Sequence, residues 1–280
     1  MVIGLTIVSL GTSLPEMLVA MIAALDGSRD LGIGNVLGSN IANVALVLGI
    51  TAMIVPLTIN SITLRREIPV LLLITFLAFA LMADGTLSFM DGLVLLAGLI
   101  LMLVWMARTA LRDKRDPLLQ EMIETVPESM PMNKAAMWFV IGLLVLIASS
   151  RMVVWGAVEI AHILGVSDLV IGLTIVAVGT SLPELVASIV SAVKNEADLA
   201  IGNVIGSNMF NLLAVLMMPA LIEPGAFSPQ VLLRDFPIML LFTLALVVLT
   251  IGKSHSIGRF KGGLLISGFA GYLYLLYLQA

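Results

Sequence analysis

The 280-residue chain reads as an all-α polytopic membrane protein made of two inverted-topology helical repeats. Three observations predict this. Apolar residues make up 60% of the chain and charged residues 11%, against roughly half and about a quarter in a soluble domain. The apolar residues fall into nine runs, each long enough to cross a bilayer as a helix. Residue n also matches residue n+168 over two long segments, a self-similarity that decides architecture.

In order, the spans are 2–25, 31–55, 66–83, 88–108, 135–158, 168–193, 199–222, 232–251 and 259–279, each bounded by charge, Gly or Pro. The stretch from Arg108 to Lys134 is the one long polar connection, and its mixed charges with Pro117, Pro127 and Pro131 mark a linker. The expected organisation is a first half, 1–108, a cytoplasmic linker, 109–134, and a second half, 135–280. With no cysteine, disulfides and thiolate metal sites are excluded, and His162 and His255 fall near predicted helix ends rather than in a zinc pattern.

Because the spans alternate sides, the loops sort into two sets. One holds Arg65, Arg66, Arg108, Arg112, Lys114, Arg115, Lys134, Lys194, Lys253, Arg259 and Lys261, and the other only Arg29 and Arg234. The crowded side is expected to be cytoplasmic, which puts Met1 inside and Ala280 outside. Arg151 lies within a span, near enough to an end to snorkel.

The repeat is specific. GLTIVSLGTSLPE at 4–16 is matched by GLTIVAVGTSLPE at 172–184, and DLGIGNVLGSNIAN at 30–43 by DLAIGNVIGSNMFN at 198–211. A fainter likeness joins LRREIP at 64–69 to LLRDFP at 232–237. The matching helices are the first and sixth of nine, so the copies sit upside down to each other, as in secondary transporters with a midplane site at the repeat interface. The span at 135–158 has no counterpart before residue 1, so either a first helix precedes this start or nine suffice.

Each copy places a proline before a glutamate in mid-span. Pro15 and Pro183 cannot donate to the helix ladder, which frees the carbonyls of Gly11 and Gly179. Such breaks at membrane depth are tolerated where they line a cavity. Ser9, Thr12, Ser13 and Glu16 share a helical face by their spacing, and Ala177, Thr180, Ser181 and Glu184 repeat it. The next helix adds Asn35, Ser39 and Asn43, matched by Asn203, Ser207 and Asn211. Hydroxyls, amide oxygens and two carboxylates make a hard oxygen shell, suited to sodium or calcium and not to copper or zinc. Gly34 with Gly38, and Gly202 with Gly206, form small-xxx-small pairs for close packing on the broken helix.

GTSLPE followed by GSN-x-x-N, present twice, resembles the paired alpha-repeats of the sodium/calcium exchanger family of the cation/calcium exchanger superfamily, in its small bacterial inner-membrane branch. The resemblance implies ten helices in two inverted units, so a first helix is missing from the pattern. It implies calcium exchanged against sodium by alternating access, with no enzyme activity and no cofactor. Its ligand set would be Glu16, Glu184, Thr12, Ser13, Ser39, Asn43, Thr180, Ser181, Ser207 and Asn211, with the carbonyls of Ser9 and Ala177. Several relatives carry Asp where Asn211 stands, which leaves proton-coupled antiport open as the alternative. A channel built on carboxylate rings and an intramembrane hydrolase using paired acids are remote readings. The expected partners are Ca²⁺, Na⁺ or H⁺ and the bilayer, with no nucleic acid and no obligate protein.

Overall fold

The structure is a computed structural model that describes residues 11–58, 62–112, 165–251 and 256–279, with isolated positions between 133 and 163. Most of the span expected at 135–158, the start of that at 2–25, and Ser9, Arg151, His162 and His255 lie outside the described residues.

The described chain is helical. Helix α1 is Leu14–Leu25; α2 is Arg29–Ile54; α3 is Ile62–Met82; α4 is Phe89–Arg112. Helix α5 is Asp168–Val193 and α6 is Ala197–Ile222; α7 runs from Val231–Asp235 into Phe236–Ile251; α8 is Arg259–Gln279. Among the described residues six of these are long and apolar enough to cross a membrane. Their ends fall within a few residues of the expected spans, because the punctuation is local. Helix α2 stops where Pro56 forces Val55 into an extended conformation, φ −130° and ψ 120°.

The 168-residue offset carries over to the elements. Helix α1 corresponds to Leu182–Val193, the second half of α5, and α2 to α6. Gly27 closes the α1–α2 turn at φ 79°, and Asn195, its counterpart, takes φ 64°, asparagine being among the few other residues that tolerate this region. Both turns keep the same capping bonds: Ser28 N donates to Ala23 O at 2.8 Å and Glu196 N to Ser191 O at 2.8 Å.

The two copies are inverted. Arg29, at the start of α2, donates from Nε and Nη2 to the carbonyls of Glu223 and Pro224 just past the end of α6, and also bonds Ala226 O. Its guanidinium pairs with the Glu223 carboxylate at 3.3 Å. The first residue of one helix thus lies against the segment just past the end of its repeat mate, and Asn40 and Asn43 meet Asn211 and Asn208 in reversed order, so α2 and α6 run in opposite directions. Two short antiparallel ladders obey the same symmetry: Leu57–Thr58 (β1) pairs with Ser256–Ile257 (β4), and Thr86–Leu87 (β2) with Gly225–Ala226 (β3). Each ladder ties a loop of one copy to a loop of the other.

At the centre, α2 and α5 touch backbone to backbone. A Cβ added at Gly34 would lie 2.7 Å from Leu169 O, and one at Gly38 2.6 Å from Leu173 O; at Gly172 it would strike Leu31 O. The small-xxx-small pair therefore packs on a broken helix as expected, but on that of the opposite copy. The contact brings the two polar motifs together.

Candidate cation site

The polar motifs form one buried cluster in an apolar bundle. Glu16 and Glu184 are fully buried, as are Ser13, Asn35, Ser39, Asn43, Thr180, Ser207 and Asn211, with Ser181 2% exposed. Thr12 is half-buried. An ionisable group at mid-membrane costs at least about 2.5–3.5 kcal/mol, so two in one place require a function that uses them.

The break positions both acids. Ser13 and Ser181 leave the helical region, at φ −87° and −84° with ψ near zero, and new helices start behind them with Pro15 and Pro183 in the first turn. Proline is harmless there because that amide has no intrahelical partner. Glu16 and Glu184 then stand in the first turn of their half-helices, where the dipole favours a negative charge. They are close enough to repel each other, and among the described residues neither forms a salt bridge.

The hydroxyls cross between copies. Ser13 Oγ and Ser207 Oγ each donate to Glu184 Oε1 at 3.4 Å, and Thr12 also bonds this carboxylate. Thr180 interacts in turn with Glu16, although among the described residues neither Glu16 oxygen has a partner within hydrogen-bonding geometry; Glu184 Oε2 and Ser181 Oγ lack one too. Thr180 and Ser39 spend their protons on Asn35 Oδ1, at 3.2 and 3.4 Å, which leaves their own oxygens as acceptors. Asn35 also donates to the backbone carbonyl of Glu16 at 3.3 Å. Asn35 thus buttresses the shell with an oxygen already engaged. The Ala177 carbonyl accepts from Ser181 N at 3.1 Å, and Thr180 Oγ1, 3.4 Å away, has its one proton nearer to Asn35, so one lone pair of this carbonyl stays open.

Asn43 and Asn211 each open a π-helical turn, Asn43–Val47 and Asn211–Val215. Such turns recur at functional sites because they re-aim a side chain without ending the helix. Sequence reasoning assigned no role to Asn40 and Asn208, yet both are buried and bonded to these residues: Asn43 Nδ2 donates to Asn208 Oδ1 at 3.0 Å, and Asn211 Nδ2 to Asn40 Oδ1 at 3.2 Å. Their signal was present, as the last residue of a GSN motif that occurs in both copies. Buried carboxylate, hydroxyl and amide oxygens, with no basic group paired to either acid among the described residues, can hold a hard cation.

Comparison with known proteins agrees with this chemistry. The sodium/calcium exchanger protein family matches residues 1–108 and 134–278. The putative antiporter CaxA of Alkalimonas amylolytica is 46% identical over 99% of this chain and 88% of its own length. The inner membrane protein YrbG of Escherichia coli is 42% identical over 99% and 86%. The solved sodium-calcium exchanger NCX_Mj superposes with a TM-score of 0.75 at 33% identity, over 98% of this chain and 85% of its own. The chain belongs to the sodium/calcium exchanger protein family, and is accordingly an integral membrane ion antiporter and not an enzyme.

Proposed function

We propose that this protein exchanges Ca²⁺ for Na⁺ by alternating access, at a midplane site whose acids are Glu16 and Glu184. The observation that carries the reading is the pair of fully buried carboxylates, one from each inverted copy, with Glu16 Oε1 and Oε2 and Glu184 Oε2 lacking a hydrogen-bond partner among the described residues. Two such charges can neutralise one divalent ion. Thr12, Ser13, Ser39 and Asn43, with Thr180, Ser181, Ser207 and Asn211, supply the neutral oxygens, while Ser9 and Ala177 offer carbonyls. The likeness to NCX_Mj, named a sodium-calcium exchanger, supports this assignment.

The membrane is the bacterial inner membrane, the location in YrbG's name. The Met1 side and residues 109–134 face the cytoplasm and the C-terminus faces out, on the Lys and Arg asymmetry. The halves are 1–108 and 135–280. The test is ⁴⁵Ca²⁺ uptake into everted vesicles under an imposed sodium gradient. Uptake that follows the sodium gradient and vanishes in Glu16→Gln is expected; uptake driven equally well by a proton gradient without sodium would overturn the sodium assignment.

A further inference from the structure

We infer that Asn40 and Asn208 are positioning residues of the cation site: each fixes which end of the opposite copy's site asparagine, Asn211 or Asn43, is turned toward the ion. The inference rests on the reading of the cluster as a cation site and adds two residues outside its ligand set.

The argument follows from what each group can and cannot donate. A backbone carbonyl only accepts. Asn208 lies 3.4 Å from the carbonyl oxygen of Asn40 through Nδ2, so that end of its amide must be the NH₂. Its other end is then Oδ1, an acceptor, and faces Asn43 at 3.0 Å. Asn43 must present its own NH₂ there, which turns its Oδ1 the other way. That oxygen is buried and has no partner among the described residues. A fixed carbonyl thus sets one amide, and that amide sets the next.

This orientation decides whether the residue attracts or repels a cation. An asparagine has similar shape both ways round, but one end carries lone pairs and the other two N–H dipoles. With its nitrogen committed to Asn208, Asn43 offers only oxygen. Buried amides have no water to make good a wrong choice, so the preference is enforced by the cost of an unsatisfied donor.

The opposite copy repeats the pair with a weaker anchor. Asn211 donates to Asn40 Oδ1 at 3.2 Å and its own Oδ1 is likewise without a partner among the described residues. Asn40, however, is held by Met239 Sδ at 3.5 Å where Asn208 has a carbonyl. A thioether is a weak acceptor. The structure therefore assigns a firmly oriented Asn43 and a more easily turned Asn211, an asymmetry between two motifs that are nearly identical in sequence.

A double-mutant cycle on the full chain tests this, with Ca²⁺ affinity of detergent-purified protein measured by equilibrium dialysis with ⁴⁵Ca²⁺. Asn208→Ala removes the acceptor that holds Asn43 and should weaken Ca²⁺ binding by about tenfold, the scale of one charge-assisted bond. In an Asn43→Ala background no amide is left to orient, and the added Asn208→Ala should change affinity less than about twofold. A merely structural role would give the same loss in both backgrounds, and that result overturns the inference, as does unchanged affinity in folded Asn208→Ala. Should Asn208→Ala fail to fold, the mirror cycle of Asn40→Ala on wild type and on Asn211→Ala decides by the same criterion, with a smaller loss expected. Wild-type protein that binds neither ⁴⁵Ca²⁺ nor ²²Na⁺ would instead overturn the cation-site reading, and the positioning role with it.

Discussion

Ser13 Oγ donates to Glu184 Oε1 at 3.4 Å, so a hydroxyl of the first copy serves the acid of the second. The reciprocal bond from Ser181 to Glu16 is not made, for Ser181 Oγ and both Glu16 oxygens lack partners among the described residues. The two acids are equivalent by sequence and unequal in surroundings. Alternating access requires such a site to be built from both copies, since rocking one against the other must change the shell around the ion.

The acids are expected to be indispensable and the hydroxyls graded. Glu16→Gln and Glu184→Gln each remove half of the site's charge and should abolish sodium-driven Ca²⁺ flux while the protein remains folded in the membrane. Ser207→Ala removes one bond to Glu184 and should weaken Ca²⁺ affinity by about fivefold, from roughly 1 kcal/mol per net hydrogen bond. Flux in proteoliposomes reads the first and ⁴⁵Ca²⁺ binding the second, and normal transport by either glutamine variant would refute the ligand pair.

The α2–α5 crossing gives a prediction about stability. Gly38→Ala would set a methyl 2.6 Å from Leu173 O and 2.7 Å from the Ala177 side chain. The Leu173 backbone cannot yield locally, so the helices must part, at about 1–3 kcal/mol for an overpacked site. Gly271→Ala, with nothing within 4 Å, is the matched control. A drop in detergent melting temperature for Gly38→Ala alone is expected; equal melting curves would mean that the crossing has room for a methyl.

Much of this was legible in the sequence because the informative features are local. Helix ends at Pro56 or Gly27 follow from backbone rules, and the offset of 168 residues announces the symmetry. Glu16 and Glu184 stood out because charge is rare in apolar spans. The partners of those residues were less accessible. Gly34 and Gly38 signal close packing, but spacing within one helix cannot say which neighbour is approached. Asn40 and Asn208 were hidden for a similar reason: their bonding partners, Asn211 for Asn40 and the Asn40 carbonyl with the Asn43 amide for Asn208, lie on the far copy.

The fainter end of the repeat also acquires meaning. Arg234 and Asp235 are buried at the start of α7, joined at 2.7 Å, with Tyr272 of α8 donating to Asp235 at 3.0 Å and Arg234 donating to Gln279 at 2.8 Å. Removing one partner of a buried pair leaves the other uncompensated, a loss of about 3–5 kcal/mol. Asp235→Leu should therefore lower yield and melting temperature sharply, whereas Tyr272→Phe removes a single bond and should cost about 1–2 kcal/mol. Comparable melting temperatures for the two variants would show that the buried Arg234–Asp235 pair adds nothing beyond the Tyr272 bond.

Asn211 offers the sharpest test of how the site counts charge. If Glu16 and Glu184 are the acids of the proposed site and both ionise on binding, they supply two negative charges; one Ca²⁺ is then neutralised in full, and three Na⁺ would leave a net charge of +1. An uncompensated buried charge costs several kcal/mol, so a three-sodium state should be disfavoured in this chain. Asn211→Asp supplies the missing charge if the new carboxylate ionises. It would then face Asn40 Oδ1, now the acceptor for the Asn211 amide at 3.2 Å. Only Met239 Sδ at 3.5 Å holds the other end of Asn40, so Asn40 can turn over and donate. The variant should gain sodium affinity as pH rises through the ionisation of the new acid and lose it as pH falls. The opposing expectation is that the introduced carboxyl stays protonated and donates to Asn40 Oδ1 as the amide did. Reversal potentials of exchange in proteoliposomes, measured across pH for wild type and Asn211→Asp, separate the two: equal stoichiometry and an equal pH profile would defeat the charge-counting argument.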